Sequence, residues 1–379
     1  MQKFITFIRR VDLLLVFVPM ILGIVSVLII GSIMDSYTSR TVLVQILAFG
    51  LGAAVMIVTA LIDTEYFDKL YPYHVFYGLS LVIQATVFLP GIGLEAFGSR
   101  AWIDLGVTTM QPSELVKITF VLAFSGYLAR NRETLMTFKG FLFAFAYAVP
   151  IIGFVAYIDM GAGIILGVMF VGMIFAAGIK SAIFVRLAVA FFVSIPIIYR
   201  FLAPHQKERF AAFLHPNDTE IDATYQVLQS KIAIGTSGFF GKGLGQGTVK
   251  ESGFLPVQES DFIFSIICEE LGFVGGAGVI LLFAVFLFRI YRIITQSHDV
   301  YAALICVGFL SMFGFQIFEN IGMTMGIMPI TGITLPFLSA GGSSVVANFI
   351  AIGIVLGIAF RSRIRSYKNI DTDVMASLV

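Results

Sequence analysis

Few residues in this chain can do chemistry, because charged side chains are scarce and most of the sequence is apolar. Asp261 carries the most weight. It follows Gln258-Glu259-Ser260 and opens the apolar run Phe262-Ile263-Phe264. An Asp in front of a helix suits an N-cap. A carboxylate at the mouth of an apolar bundle suits a general base. Glu114 and Lys117 stand three residues apart, on one face of a helix, where they can pair. Pro112 fits a first helical turn, and Glu114 fits the positive end of the helix dipole. Such a pair is either a structural lock or the charged wall of an outward-facing cavity. Asp159 lies in the joint Tyr157-Ile158-Asp159-Met160-Gly161 between two apolar runs, as a cap or as a functional acid. Glu319-Asn320 ends another run, as a cap or as a polar contact within the bundle.

The Gly-rich stretch Gly235–Gly247 invites a phosphate-loop reading and fails it in detail. The Walker pattern needs Gly five residues before Gly241-Lys242, where Thr236 stands, and Ser or Thr after the Lys, where Gly243 stands. Two readings remain: flexible turns between short elements, or backbone N–H groups with Lys242 facing a phosphate-bearing substrate.

The elements that must hold these residues are set by composition. Apolar residues are 58% of 379 and charged residues only 12%, about half the usual share. No soluble chain of this size can hide so much apolar surface. Cys268 and Cys306 both lie in apolar runs and exclude a disulfide framework or a thiolate zinc site. Four scattered His leave little for a His-built metal centre, and a net charge of +1 argues against nucleic acid as a partner. The class is an all-α, polytopic membrane protein.

A span needs about 20 mostly apolar residues. Ten runs qualify: 11–31, 41–62, 73–90, 114–129, 140–158, 161–179, 182–203, 263–291, 299–319 and 344–361. The first lacks a small-residue cleavage site and reads as a retained helix. The eighth is too long for one simple crossing. Its first turns, through Cys268-Glu269-Glu270, read as interfacial, with Leu271–Tyr291 crossing. Lys and Arg cluster in segments that share one side: Arg9 and Arg10, Arg130 to Lys139, Lys180 and Arg186, Arg289 and Arg292, Arg361 to Lys368. The short loops on the other side hold only Arg40 and Arg100. Both termini are therefore expected in the cytoplasm. The one large loop, 204–260 between the seventh and eighth spans, then faces outward. The tail 362–379 reads as a short disordered end. Residues 322–343 carry no charge but hold Pro329, Pro336 and Gly341-Gly342-Ser343-Ser344. This segment reads as re-entrant or broken, tolerated where it packs in protein or lines a cavity. Gly98-Ser99-Arg100-Ala101-Trp102-Ile103-Asp104 is expected on the outer membrane surface.

Several of these motifs together resemble the SEDS family of membrane proteins. They are Gly98-Ser99-Arg100-Ala101-Trp102, Gln111-Pro112-Ser113-Glu114-Leu115 with Lys117, and Asp159-Met160-Gly161. Further along come Gly238 with Gly241-Lys242-Gly243, Ser260-Asp261-Phe262-Ile263-Phe264, and Glu269-Glu270-Leu271-Gly272. The last runs from Pro329-Ile330-Thr331-Gly332 through Leu335-Pro336-Phe337 to Gly341-Gly342-Ser343-Ser344. They cover roughly 98–345 in order and lie closer to the RodA branch than to the FtsW branch. Ala340 departs from the family pattern, which has an aromatic residue there, and Met160-Gly161-Ala162-Gly163 departs mildly.

The resemblance implies one ten-span domain over 1–379 that polymerises lipid II into glycan strands at the outer face of the bacterial cytoplasmic membrane during cell elongation. It implies that Asp261 is the essential acid, that Glu114 and Lys117 form a polar pair near the cavity, and that Asp159 is a further important acid. It also implies a class B penicillin-binding protein as transpeptidase partner, within the elongation machinery. The reaction joins a sugar hydroxyl to an anomeric carbon bearing a lipid pyrophosphate, so one displacement with inversion, one general base and cations on the leaving group suffice. Arg100, Lys117 and Lys242 are the candidate cations, with Mg²⁺ or Mn²⁺ as a supplement and no organic cofactor. Trp102, Gln111, Ser113, Gln258, Ser260, Ser343 and Ser344 complete the expected substrate-binding set. The rival class is a lipid II flippase or an ion-coupled transporter, which ten spans, intramembrane acids and a broken segment also suit. A non-enzymatic scaffold is a third reading, for which a motif-bearing cavity is superfluous.

Overall fold

The computed structural model describes residues 11–33, 39–62, 73–90, 93–96, 99–104, 106, 109–201, 204–216, 218, 222–247 and 259–376. The helices are α1 (Leu13–Ile33), α2 (Ser39–Leu61), α3 (Tyr73–Ala85), α4 (Pro112–Arg130), α5 (Phe138–Ile158) and α6 (Met160–Ala177). They continue with α7 (Ser181–Phe201), α8 (Pro204–Leu214), α9 (Asp222–Thr236), α10 (Ile263–Gln296), α11 (Val300–Thr324) and α12 (Gly342–Ala376). Each of the ten apolar runs falls on a helix: α1 to α7, then α10 to α12. Among the described residues seven helices are long and apolar enough to cross a membrane, namely α1, α2, α5, α6, α10, α11 and the part of α12 up to Ser362. Of the other runs, α3 has only 13 residues, and Glu114 and Lys117 interrupt the apolar sequence of α4.

Burial is inverted relative to a soluble protein. α4 is buried on nearly every side, charges included. By contrast α1 turns Leu14, Phe17, Ile24 and Leu28 outward, as a helix facing lipid does. Small residues let the central helices close up. A Cβ on Gly353 of α12 would meet Thr59 Oγ1 at 1.9 Å, so α2 and α12 touch backbone to backbone there. α1 runs antiparallel to α10 and is pinned at both ends. Asp12 forms an ion pair with Arg289, and Ser32 donates its hydroxyl to the Glu270 carboxylate. The pins are about 20 residues apart, roughly 30 Å of helix and about the thickness of a bilayer core.

α10 is broken at Gly272 (φ 70°, ψ −164°), close to where the long run was expected to change from interfacial to crossing. The Gly-rich stretch seals the break. The N–H groups of Lys242 and Gly243 donate to the carbonyls of Glu269 and Glu270, at 2.9 and 3.0 Å. In return Phe273 and Val274 donate to the carbonyls of Gly238 and Phe239. A Cβ on Gly272 would lie 2.2 Å from Gly241 N, so only glycine fits this apposition.

Residues 99–104 form a strand of a small antiparallel sheet, β1 (Gly93–Ala96), β2 (Ser99–Asp104) and β3 (Thr109–Met110), with Leu94 opposite Trp102 and Ile103 opposite Met110. Ala101 and Ile103 point inward and Asp104 outward, the alternation of a half-buried strand. One expectation needs correction. The tail is not disordered over its length: α12 continues to Ala376, through a sequence that has no Gly or Pro after Gly357.

Candidate active site

Helix starts and ends converge on one polar region in the bundle. Gln111 is the residue before α4, Asp159 caps α6, Asp261 lies two residues before α10, and Ser343 and Ser344 are in the first turn of α12. Helix N-termini carry positive potential and unpaired N–H groups, so their convergence favours an anion.

Asp159 gathers one side. Its Oδ1 accepts from the Ala162 N–H at 3.1 Å, the N-cap bond of α6. Its Oδ2 accepts from Gln111 Nε2 at 2.5 Å and from Ser113 Oγ at 3.3 Å. Ser343 Oγ accepts from the Gln111 N–H at 3.3 Å and so ties α12 to the start of α4. Burial raises the Asp159 carboxyl above the ordinary range, and Glu114 adds to this; the Ala162 N–H, Lys117 and Ser113 oppose it. One turn into α4, Lys117 Nζ holds Glu114 Oε1 at 2.9 Å, with Lys117 only 1% exposed. Glu114 Oε2 is buried and has no hydrogen-bond partner. Asp159 thus caps α6, and Glu114 and Lys117 form a buried ion pair within α4.

Asp261 holds the other side. Ser260 Oγ donates to its Oδ1 at 3.0 Å. Its backbone carbonyl accepts from Asn320 Nδ2 at 2.9 Å, and the same nitrogen reaches the Ile333 carbonyl at 2.8 Å. Ser339 donates to the Ser260 carbonyl and accepts from the Leu335 N–H at 2.7 Å. Between α11 and α12 the chain is irregular over 325–341, and its 333–339 part is largely buried in protein. It turns through Phe337 (φ 64°), a left-handed conformation rare for a bulky residue, which packs among Phe286, Phe313 and Phe349. Gly161 joins the two sides: its Cβ would lie 3.1 Å from Thr331 O and 3.4 Å from Asp159 Oδ1. Gln45 extends the frame, donating to Ser339 O and Ser26 Oγ at 3.2 and 3.0 Å.

Burial pushes the Asp261 carboxyl up. Ser260 and Arg209 oppose the rise, while Glu259 and Asp159 add to it. Arg209, on α8, had no assigned role in the sequence reading. It sits in a polar stretch where one more charge is uninformative. In space it stands across Gly332 from the acid: a Cβ at Gly332 would lie 3.5 Å from Arg209 Nη1 and 3.6 Å from Asp261 Oδ2.

Other expected residues fall elsewhere. Lys242 Nζ is bound to Glu269 Oε1 at 2.7 Å, and its N–H is committed to α10, so it acts as a structural staple and not as a cation facing substrate. Arg100 is exposed on β2, with Nε 3.4 Å from Gly93 O, and Trp102 is half-buried beside it; neither joins the Asp159 or Asp261 contacts. Ser344 Oγ donates to Gly341 O at 3.3 Å as a turn of α12. Gln258 lies outside the described residues. Among the described residues no three Asp, Glu, His or Cys side chains gather to hold a divalent ion.

Known proteins resemble this chain in sequence and in fold. The model of the FtsW, RodA and SpoVE family, described as cell cycle proteins, matches residues 6–364. Stage V sporulation protein E of Bacillus subtilis is 37% identical over 74% of this chain and 77% of its own. A probable peptidoglycan glycosyltransferase FtsW of Nitrosococcus halophilus is 34% identical over 80% and 78%. Among solved structures, a chain from a peptidoglycan synthase complex that coordinates polymerization and crosslinking superimposes with a TM-score of 0.77 and 26% identity, covering 93% of this chain and 98% of that one. RodA of Thermus thermophilus gives 0.66 and 25%, covering 92% and 96%. The curated relatives thus bear sporulation and division names, and a solved structure bears the RodA name. The chain belongs to the FtsW, RodA and SpoVE family, the SEDS peptidoglycan glycosyltransferases.

Proposed function

We propose that this protein polymerises lipid II at the outer face of the bacterial cytoplasmic membrane, with both termini in the cytoplasm and Asp261 as general base. The acceptor hydroxyl oxygen attacks the donor's anomeric carbon as the bond from that carbon to the lipid diphosphate breaks. The hydroxyl proton passes to Asp261, and the diphosphate leaves on its lipid. One displacement inverts the α-linked donor to a β-1,4 linkage. Diphosphate is a good leaving group, so cations suffice in place of a strong general acid.

The observation that carries this reading is the setting of Asp261. Its backbone is fixed by Asn320 and Ser339, its carboxyl is raised by burial, and a cation stands across Gly332. A raised carboxyl is a better base than an exposed one. A purified preparation given labelled lipid II, with a class B penicillin-binding protein where needed, should yield a moenomycin-resistant ladder of glycan strands. Asp261→Asn should cut the rate about 10²–10⁴-fold, the usual worth of a general base. Lipid movement without polymer would instead establish a carrier. A class B partner is supported by the superposition on a chain from a synthase complex. An elongation role is supported by the motif resemblance. Depletion should then round rod-shaped cells, whereas filamentation would assign the protein to division.

A further inference from the structure

Beside the polar region a small open cleft lies between α8, α9 and residues 326–330. Arg209 of α8 and Lys231 of α9 both line it, and among the described residues neither has an ion-pair partner at salt-bridge distance. Thr224 also lines it, 2% exposed, with its Oγ1 buried and without a hydrogen-bond partner. A buried hydroxyl left unpaired costs free energy unless a ligand or water satisfies it. The remaining walls are apolar, with Phe213, Leu228 and Met328. Two cations and an unmatched hydroxyl among apolar walls suit a phosphate group on a hydrocarbon tail. Gly326 (φ +73°) lets the end of α11 close on this wall: a Cβ there would lie 3.0 Å from Lys231 Cδ and 3.3 Å from Val227 Cγ1.

The cleft meets the candidate base at Arg209. Nη1 and Asp261 Oδ2 lie 3.5 and 3.6 Å from the point a Gly332 Cβ would occupy, so they are at most about 7 Å apart. An inverting displacement needs base and leaving group on opposite faces of one carbon, and Asp261 and Arg209 border the same Gly332 position. We propose that this cleft seats the diphosphate of the lipid-linked donor, held by Arg209, Lys231 and the Thr224 hydroxyl, while the acceptor sugar approaches from the Gln111–Asp159 side. This deepens the proposed function and rests on it. It also replaces Lys242 and Arg100 with Arg209 and Lys231 as the cations on the leaving group.

The test is equilibrium binding of undecaprenyl diphosphate, which carries no sugar to transfer, to the full-length protein. Undecaprenol and phosphatidylglycerol serve as the tail-only and headgroup controls. Lys231→Gln and Arg209→Gln should each weaken undecaprenyl diphosphate binding by about tenfold or more, the scale of one charged hydrogen bond. Lys231→Arg should restore it, and Lys207→Gln, which removes an α8 cation outside the cleft, should leave it unchanged. A melting temperature within the parental range guards against misfolding. Unchanged affinity in Lys231→Gln overturns the proposal, as does phosphatidylglycerol competing equally well. Parent protein that binds undecaprenyl diphosphate in this Lys231-dependent way yet forms no glycan ladder would sink the polymerase reading and leave the cleft standing.

Discussion

Asn320 Nδ2 donates to the backbone carbonyls of Asp261 and Ile333 at once, at 2.9 and 2.8 Å. One amide at the end of α11 thereby fixes the candidate base against the irregular 329–341 segment. Asn320→Leu keeps the volume roughly and leaves two buried carbonyls unpaired, at about 1–3 kcal/mol each. We expect polymerisation to fall mainly in kcat, with KM for lipid II little changed, because the acid moves and the outlying contacts do not. A variant whose KM rises while kcat holds would show that Asn320 serves binding instead.

The Asp261 carboxyl is raised first by burial and lowered by Ser260 and Arg209. A base works deprotonated, so activity should climb with pH through a midpoint above the ordinary carboxylate range. Arg209 favours the charged form, so Arg209→Gln should move that midpoint further up, whatever it does to the maximal rate. Glu259 and Asp159 also act on this acid. Their like charges push the midpoint in the same direction, so Glu259→Gln should bring it down. A pH–rate profile of strand synthesis reads both shifts; a midpoint displaced downward by Arg209→Gln would contradict the geometry.

What the sequence made legible follows from solvation. Asp261, Asp159 and the Glu114–Lys117 pair stood out because an ionisable group in an apolar run is costly and needs a reason. The break in α10 was legible from the length of its run. Residues 204–260 behaved differently. There charges are cheap, and neither the role of Arg209 nor the pairing of Lys242 with a Glu 27 positions later has a local signature. The strands β1 to β3 were missed because each is at most six residues long, too short for alternation to declare itself. Among the described residues seven of the ten expected runs span by length and composition; α3 is too short, and α4 spends apolar positions on its ion pair.

Lys242 is 26% exposed and Glu269 only 1%, so the bond between them shelters a carboxylate that has no easy route to water. Lys242→Met should therefore lose stability, by about 1–3 kcal/mol, the range for a charged hydrogen bond. The seal over Gly272 would loosen with it. If the pairing is structural, the surviving folded fraction keeps its KM for lipid II. Thermal unfolding in detergent measures the first effect and initial rates the second. A large KM increase at unchanged melting temperature would return Lys242 to the substrate.

The Asp12–Arg289 pair lies at the opposite end of α1 from Ser32 and Glu270, and so far from the proposed chemistry. Asp12 is buried, and both its oxygens take the guanidinium, with Nε at 3.2 and 3.1 Å. Removing one partner of such a pair leaves a buried charge uncompensated, which costs about 3–5 kcal/mol when burial is complete and less here because Arg289 is partly exposed. Arg289→Gln should lower the unfolding temperature. The outer pin and the polar region should stay in place, so kcat at a permissive temperature should match the parent. The double variant Asp12→Asn with Arg289→Gln should recover part of the loss, because it leaves no lone charge behind. A double variant destabilised by the sum of the two single losses would mean that the charges do not couple, and that α1 is held to α10 by packing alone.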